Sequence, residues 1–220
     1  MVVDSLLRPF VNSWMLLKRI ARYFAAIGLS PDSITILSLL SAILAGVFFF
    51  FSGTGPVQRN AFNLLLLPAG IFVCVSSILD ALDGIMAREL GNASKRGDFL
   101  DHVIDRYADM LIVCGIIFGG YVSCKIGVIA VIGILFSSYM GTQAQAVGLK
   151  RIYGGLLGRA DRLLIIIVAT FLTMVYPYPL PASGMLSYTF LGWAMVIFAL
   201  LCNVTALQRF YHAWKMVNHI

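Results

Sequence analysis

Seven of the ten acidic residues of this chain lie between positions 80 and 109: Asp80, Asp83, Glu89, Asp98, Asp101, Asp105 and Asp109. Asp80 and Asp83 are three residues apart, and Asp101 and Asp105 are four apart. Both spacings place carboxylates on one face of a helix. If two such faces meet, four carboxylates converge. Like charges packed together repel and hold protons unless a cation joins them. Oxygen-only ligands suit Mg²⁺, Mn²⁺ or Ca²⁺, and Mg²⁺ characteristically bridges carboxylates and substrate phosphates. Gly84 and Gly97 allow close backbone approach, and Arg88 is placed to hold a phosphate.

The elements that must carry these groups are membrane helices. Of 220 residues, 60% are hydrophobic and only 12% charged, against about 25% charged in a typical soluble domain. Mean hydropathy is +0.91. This composition excludes an ordinary soluble domain, a disordered chain and a fibrous repeat. A bilayer core about 30 Å thick needs roughly 20 helical residues. Six apolar stretches meet that need, at 34–53, 61–82, 99–123, 126–147, 163–180 and 186–206. Residues 1–30 read as an amphipathic segment lying in the interface. Leu6, Leu7, Phe10, Val11, Trp14, Leu17 and Ile20 recur at helical spacing, with Lys18, Arg19 and Arg22 beside them. No signal peptide is expected there, because basic residues interrupt it.

The predicted fold is therefore all-α: six transmembrane helices preceded by a juxtamembrane helix, residues 31–220 forming one membrane domain. Lys and Arg fall on one side of this arrangement, in the N-terminal segment, the loops after the second and fourth spans, and the C-terminal tail. Arg59 and Lys125 fall on the other side, and Arg106 lies within the third span. The positive-inside rule then puts both termini, and the carboxylates, at the cytosolic face. The net charge of +6 is largely a topology signal, so no nucleic-acid partner is needed to explain it. Cys74, Cys114, Cys124 and Cys202 have no zinc or disulfide spacing.

The stretch reads Asp80-x-x-Asp83-Gly84-x-x-Ala87-Arg88, then Gly97-x-x-x-Asp101-x-x-x-Asp105. This resembles the signature of the CDP-alcohol phosphotransferase family, with every fixed position present, and the six-span layout is similar too. The resemblance implies an enzyme of phospholipid biosynthesis that moves a lipid phosphate from a CDP-lipid to an alcohol and releases CMP. It implies that Asp80, Asp83, Asp101 and Asp105 hold one or two Mg²⁺ or Mn²⁺ ions and that Asp105 is the general base. It implies that Gly84, Ala87, Arg88, Ser94 and Gly97 contact the CDP moiety. Ser30-Pro31-Asp32-Ser33 resembles an element lying beside the nucleotide lipid. A homodimer in the cell membrane, with its active site facing the cytosol, is implied as well.

Other segments bear on the acceptor. Residues 97–109 resemble the inositol-phosphate branch of the family, and His102 stands where the glycerol-phosphate branch carries proline. Gly158-Arg159-Ala160-Asp161-Arg162 resembles a segment near the acceptor site of the inositol-phosphate branch. Arg159, Arg162, Lys150 and Arg151 suit an acceptor bearing its own phosphate. In span four, Gly141 and Gln143 replace two cations of the bacterial members, and the run Gly141–Ala146 is similar to archaeal ones, which makes Gln143 a further acceptor candidate. The expected acceptor is inositol 1-phosphate and the expected donor CDP-archaeol or CDP-diacylglycerol. Glycerol phosphate is the alternative acceptor. A cation or proton transporter is the alternative of a different class, although no internal repeat supports one. Asp98 and Asp109 have weaker claims, Asp109 as a partner for Arg106.

Overall fold

The computed structural model describes residues 15–54, 63–89, 94–150, 152, 154–181 and 186–217. Seven helices organise them: α1 (Met15–Ala26), α2 (Pro31–Thr54), α3 (Leu66–Glu89), α4 (Lys95–Phe118), α5 (Cys124–Ala146), α6 (Arg159–Val175) and α7 (Phe190–Val217). Among the described residues there is no strand, and Leu180 and Tyr188 form an isolated antiparallel bridge.

Helices α2 to α7 fall on the six apolar stretches, but their polar ends run further than hydropathy indicates. α3 continues past 82 to Glu89, and α4 starts at Lys95 rather than 99. Hydropathy stops at the first charges, whereas backbone hydrogen bonding does not. The start of α4 is set instead by Ser94, whose Oγ accepts from the Gly97 amide at 3.0 Å and so satisfies one of the otherwise unpaired first-turn donors. Likewise Ser30 Oγ accepts from the Ser33 amide at 3.2 Å at the start of α2.

Among the described residues, four helices are long and apolar enough to cross a membrane: α2 (as Pro31–Gly53), α3, α5 and α7. The two expected spans that fall short do so for identifiable reasons. α4 has the length but carries Lys95, Arg96, Asp98, Asp101, Asp105, Arg106 and Asp109, and α6 has only 17 residues. α7, at 28 residues, is about 42 Å long and outreaches a bilayer core.

α2 packs on α3 and α4, α5 packs on α7, and α6 contacts both α3 and α7. The shared core is built from Phe49, Leu66, Val73, Ile112, Ile116, Ile134, Met195 and Phe198, all buried. α2 and α4 cross at backbone contact. A Cβ on Gly46 would lie 2.5 Å from the Leu111 carbonyl oxygen, and one on Gly119 would lie 2.5 Å from that of Phe49. Small residues allow this approach where apolar driving force between helices is weak, as in lipid. Large apolar side chains such as Ile36, Leu40, Val47 and Phe51 of α2 and Val128, Ile132 and Leu135 of α5 face outward, a surface suited to hydrocarbon rather than water.

Within the N-terminal segment, only α1 and the turn after it are described. Part of its apolar stripe faces protein: Leu17 and Ala21 are buried against Ile34, Leu82, Ile85 and Met86. Lys18 pairs with Glu89 at 3.1 Å, fastening α1 to the end of α3. Leu6, Leu7, Phe10, Val11 and Trp14 lie outside the described residues.

Candidate active site

The end of α3 and the first half of α4 bring three of the four expected carboxylates together. Asp80, Asp101 and Asp105 each offer an oxygen within 4.8 Å of the others. Helix periodicity accounts for this. Asp101 and Asp105 occupy successive turns of one α4 face, and Asp80 is on the helix that precedes α4 in the chain. Asp83 lies beside the trio with a partner of its own. It is only 4% exposed, and its Oδ2 accepts from Thr35 Oγ1 at 2.6 Å. Thr35 belongs to α2 and also donates to the Pro31 carbonyl at 3.1 Å.

The start of α2 approaches the start of α4. A Cβ on Gly97 would lie 3.3 Å from Ser94 Oγ and 3.6 Å from Asp32 Oδ1. Asp32, in the segment Ser30-Pro31-Asp32-Ser33, thus comes close to Gly97, though it is more than 60 positions away in sequence. Gly84 faces open space, with the Arg88 guanidinium 3.9 Å from its would-be Cβ. Ala87 is half-buried and Arg88 exposed on the same stretch of α3.

A third helix, α6, supplies cations to these carboxylates. Arg159, at the start of α6, places Nη1 2.5 Å from Asp80 Oδ2 and 2.9 Å from Asp105 Oδ1. Its Nε donates to Asp109 Oδ1 at 3.2 Å. Arg162, only 5% exposed, donates from Nη2 to Asp109 Oδ2 at 2.7 Å. Arg106 adds its Nη2 3.3 Å from Asp105 Oδ2 and 3.9 Å from Asp109 Oδ2, and its other terminal nitrogen donates to Ser138 Oγ of α5. The result is a continuous network of carboxylates and guanidinia joining α3, α4 and α6.

The segment before α6 is shaped to deliver those arginines. Gly155 has φ +135°, a conformation that favours glycine, and a Cβ there would collide with Thr205 of α7. Thr205 Oγ1 accepts from the Leu157 amide at 3.1 Å. Asp161 Oδ2 accepts from the Gly158 amide at 2.9 Å, closing the first turn of α6. Arg209 of α7 donates to the carbonyls of Gly154 and Ser137, at 2.7 and 2.6 Å.

The remaining predicted residues are more peripheral. Gln143 is exposed on α5 and Lys150 is exposed just after it. Neither belongs to the ion-pair network among the described residues, and Arg151 lies outside them. Asp98 is exposed, 3.8 Å from His102 Nε2. Asp109 is more central than its sequence context indicated: besides Arg106, it holds both α6 arginines. The only sequence signal for this was its place in the series 101, 105, 109. Thr35 gave no such signal beyond being a polar residue in an apolar helix.

A divalent cation fits the trio. The donor set is carboxylate oxygen alone. Asp105 Oδ1 is also buried and accepts no hydrogen bond with good geometry among the described residues, although Arg159 Nη1 is near it. Among those residues, that oxygen is met by the Arg159 ion pair alone and has a lone pair left for a cation.

Known proteins share both the sequence and the architecture. The chain is 33% identical to an archaetidylinositol phosphate synthase from Pyrococcus horikoshii over 97% of this chain and 98% of that protein. It is 31% identical to a phosphatidylinositol phosphate synthase from Streptomyces avermitilis, over 83% and 71%. Its fold matches that of the Mycobacterium tuberculosis phosphatidylinositol phosphate synthase crystallised with CDP-DAG bound, with a TM-score of 0.73 and 26% identity over 92% of this chain and 95% of that one. The same enzyme in complex with manganese and citrate matches with a TM-score of 0.72 and 25% identity over 91% and 90%. With the CDP-alcohol phosphatidyltransferase description matching residues 28–205, the carboxylate hairpin and the helices around it place this chain in that family of membrane transferases.

Proposed function

We propose that this enzyme transfers the lipid phosphate of a CDP-lipid to inositol 1-phosphate, releasing CMP at the cytosolic face of the cell membrane. The observation that carries this reading is the pair of α6 arginines at the carboxylate cluster, Arg159 against Asp80 and Asp105 of the trio and Arg162 against the neighbouring Asp109. A neutral alcohol would not require two guanidinia there, whereas an acceptor with its own phosphate does. The names of the similar proteins from Pyrococcus and Streptomyces point the same way.

In this reading Asp80, Asp101 and Asp105, with Asp83 beside them, hold one or two Mg²⁺ or Mn²⁺ ions. Bound there, such ions would offset the charge that develops on the phosphate oxygens. Ser30, Pro31, Asp32, Ser33, Gly84, Ala87, Arg88, Ser94 and Gly97 receive the CDP end of the donor, the glycines leaving room for close approach. Arg159 and Arg162 take the acceptor phosphate, and Gln143, Lys150 and Arg151 extend that side. Asp105 faces both sides, which suits it to accept the proton from the attacking hydroxyl. Phosphoryl transfer depends chiefly on placement and charge stabilisation, and this division of labour supplies both. Six membrane crossings with both termini cytosolic, and a homodimer, complete the reading.

The test is CMP release by the purified protein. CDP-archaeol and CDP-diacylglycerol are offered with inositol 1-phosphate, glycerol 3-phosphate or free inositol. Turnover should be highest with inositol 1-phosphate and should stop on chelation and resume with Mg²⁺ or Mn²⁺. Preference for glycerol 3-phosphate would reassign the acceptor. Ion flux in liposomes without CMP formation would replace the enzyme by a transporter.

A further inference from the structure

Asp109 is the most enclosed carboxylate of the network, at 4% exposure. It lies one helical turn, about 6 Å along the axis, beyond Asp105. Its two oxygens are divided between two arginines of one α6 face: Oδ1 takes Arg159 Nε and Oδ2 takes Arg162 Nη2. An arginine held by Nε has its guanidinium plane fixed and both terminal nitrogens left for other partners. In Arg159, Nη1 is turned to Asp80 and Asp105. A lone α6 arginine would have many rotamers to sample, so a shared buried carboxylate gives the pair a defined spacing and direction.

We infer that Asp109 is a positioning residue for acceptor binding: it fixes the Arg159 and Arg162 guanidinia at the separation that receives the acceptor phosphate. This rests on the acceptor role proposed above for the two arginines. Asp109 itself touches neither substrate, because both its oxygens are committed to guanidinia. Arg106 approaches Asp109 from the same helix, and its tie to Ser138 of α5 keeps it from replacing either α6 arginine.

The experiment measures acceptor and donor KM, calorimetric binding of inositol 1-phosphate, Mn²⁺ affinity and thermal unfolding in the full-length protein. Variants are Asp109→Asn, Asp109→Glu, Arg159→Ala, Arg162→Ala and the doubles of Asp109→Asn with each arginine change. Because Asp109→Asn leaves buried guanidinia facing a neutral group, Asp109→Glu, which keeps the charge but displaces it, secures the test if the first variant does not fold. Both Asp109 variants should raise acceptor KM and weaken inositol 1-phosphate binding about tenfold or more, as expected for displaced charge-assisted bonds, with donor KM within about twofold. In the doubles the Asp109 change should add little to the arginine change, since both act through the same contacts. Four outcomes overturn the inference. They are unchanged acceptor affinity in a folded Asp109→Glu protein, full additivity in the doubles, an equal rise in donor KM, and a loss of Mn²⁺ affinity exceeding the loss of acceptor affinity. If the arginine variants respond and the Asp109 variants do not, the inference alone falls. If the arginine variants are also silent, the acceptor reading falls with it.

Discussion

The two sides of the site are built in different ways. The carboxylate side is local: Asp80, Asp101 and Asp105 come from consecutive helices, and the four-residue interval aligns Asp101 with Asp105. The arginine side is remote. Arg159 meets Asp80 across 79 positions and Asp109 across 50, and it depends on a loop braced by Thr205 and Arg209 of yet another helix. One side can be assembled by a hairpin, whereas the other exists only once α3, α4, α6 and α7 have packed. Substitutions on the local side should therefore strike chemistry and metal binding, and those on the remote side should strike acceptor binding.

The sharpest way to break that contrast is Asp105→Asn. As the proposed base it should lose about 10²–10⁴-fold in turnover while keeping CDP-lipid binding, read by CMP release and by a nucleotide-lipid binding assay. Equal loss of both would merge the two roles. Thr35→Val removes the hydrogen bond that orients Asp83. It should weaken Mn²⁺ binding about 10–100-fold by titration, the size of effect seen when a hydrogen-bond partner of a ligand is lost. An unchanged Mn²⁺ affinity would detach Asp83 from the metal. Arg159→Ala should raise acceptor KM about tenfold or more and leave donor KM nearly level. A matching rise in donor KM would erase the distinction between the sides. The smallest effect is expected at Lys18→Ala. Its exposed pair with Glu89 contributes no more than about 1 kcal/mol, so melting temperature and both KM values should barely move. A large loss there would show that the site leans on α1.

The local side was legible in the sequence because spacing encodes it directly. Asp80, Asp83, Gly84, Arg88, Gly97, Asp101 and Asp105 could be read as a hairpin before any fold was known, and the apolar stretches located the six long helices. The remote side was legible as a list of cations, from which only a family resemblance singled out Arg159 and Arg162. Which of Lys150, Arg159 and Arg162 turns inward is decided by the Gly155 bend, the Asp161 cap and the position of Thr205, none of which has a periodicity to follow. The same limit hid Thr35 and the second and third partners of Asp109, since contacts across 48 to 53 positions leave no local trace. Helix ends were misjudged for another reason: hydropathy counts side chains, while Ser94 and Asp161 act on backbone amides.

One mechanical consequence comes from the crossing of α2 and α4. Gly46 and Gly119 bring the two backbones together with no side chain between them to act as a bearing. Tightly meshed interiors transmit displacement instead of absorbing it. Any tilt of α4 must therefore carry α2 with it, and the seam works as a weld. The start of α2, which approaches Gly97, and the α4 turns bearing Asp101 and Asp105 would then move as one lever, and the Arg159 ion pairs to Asp80 and Asp105 tie the start of α6 to that lever.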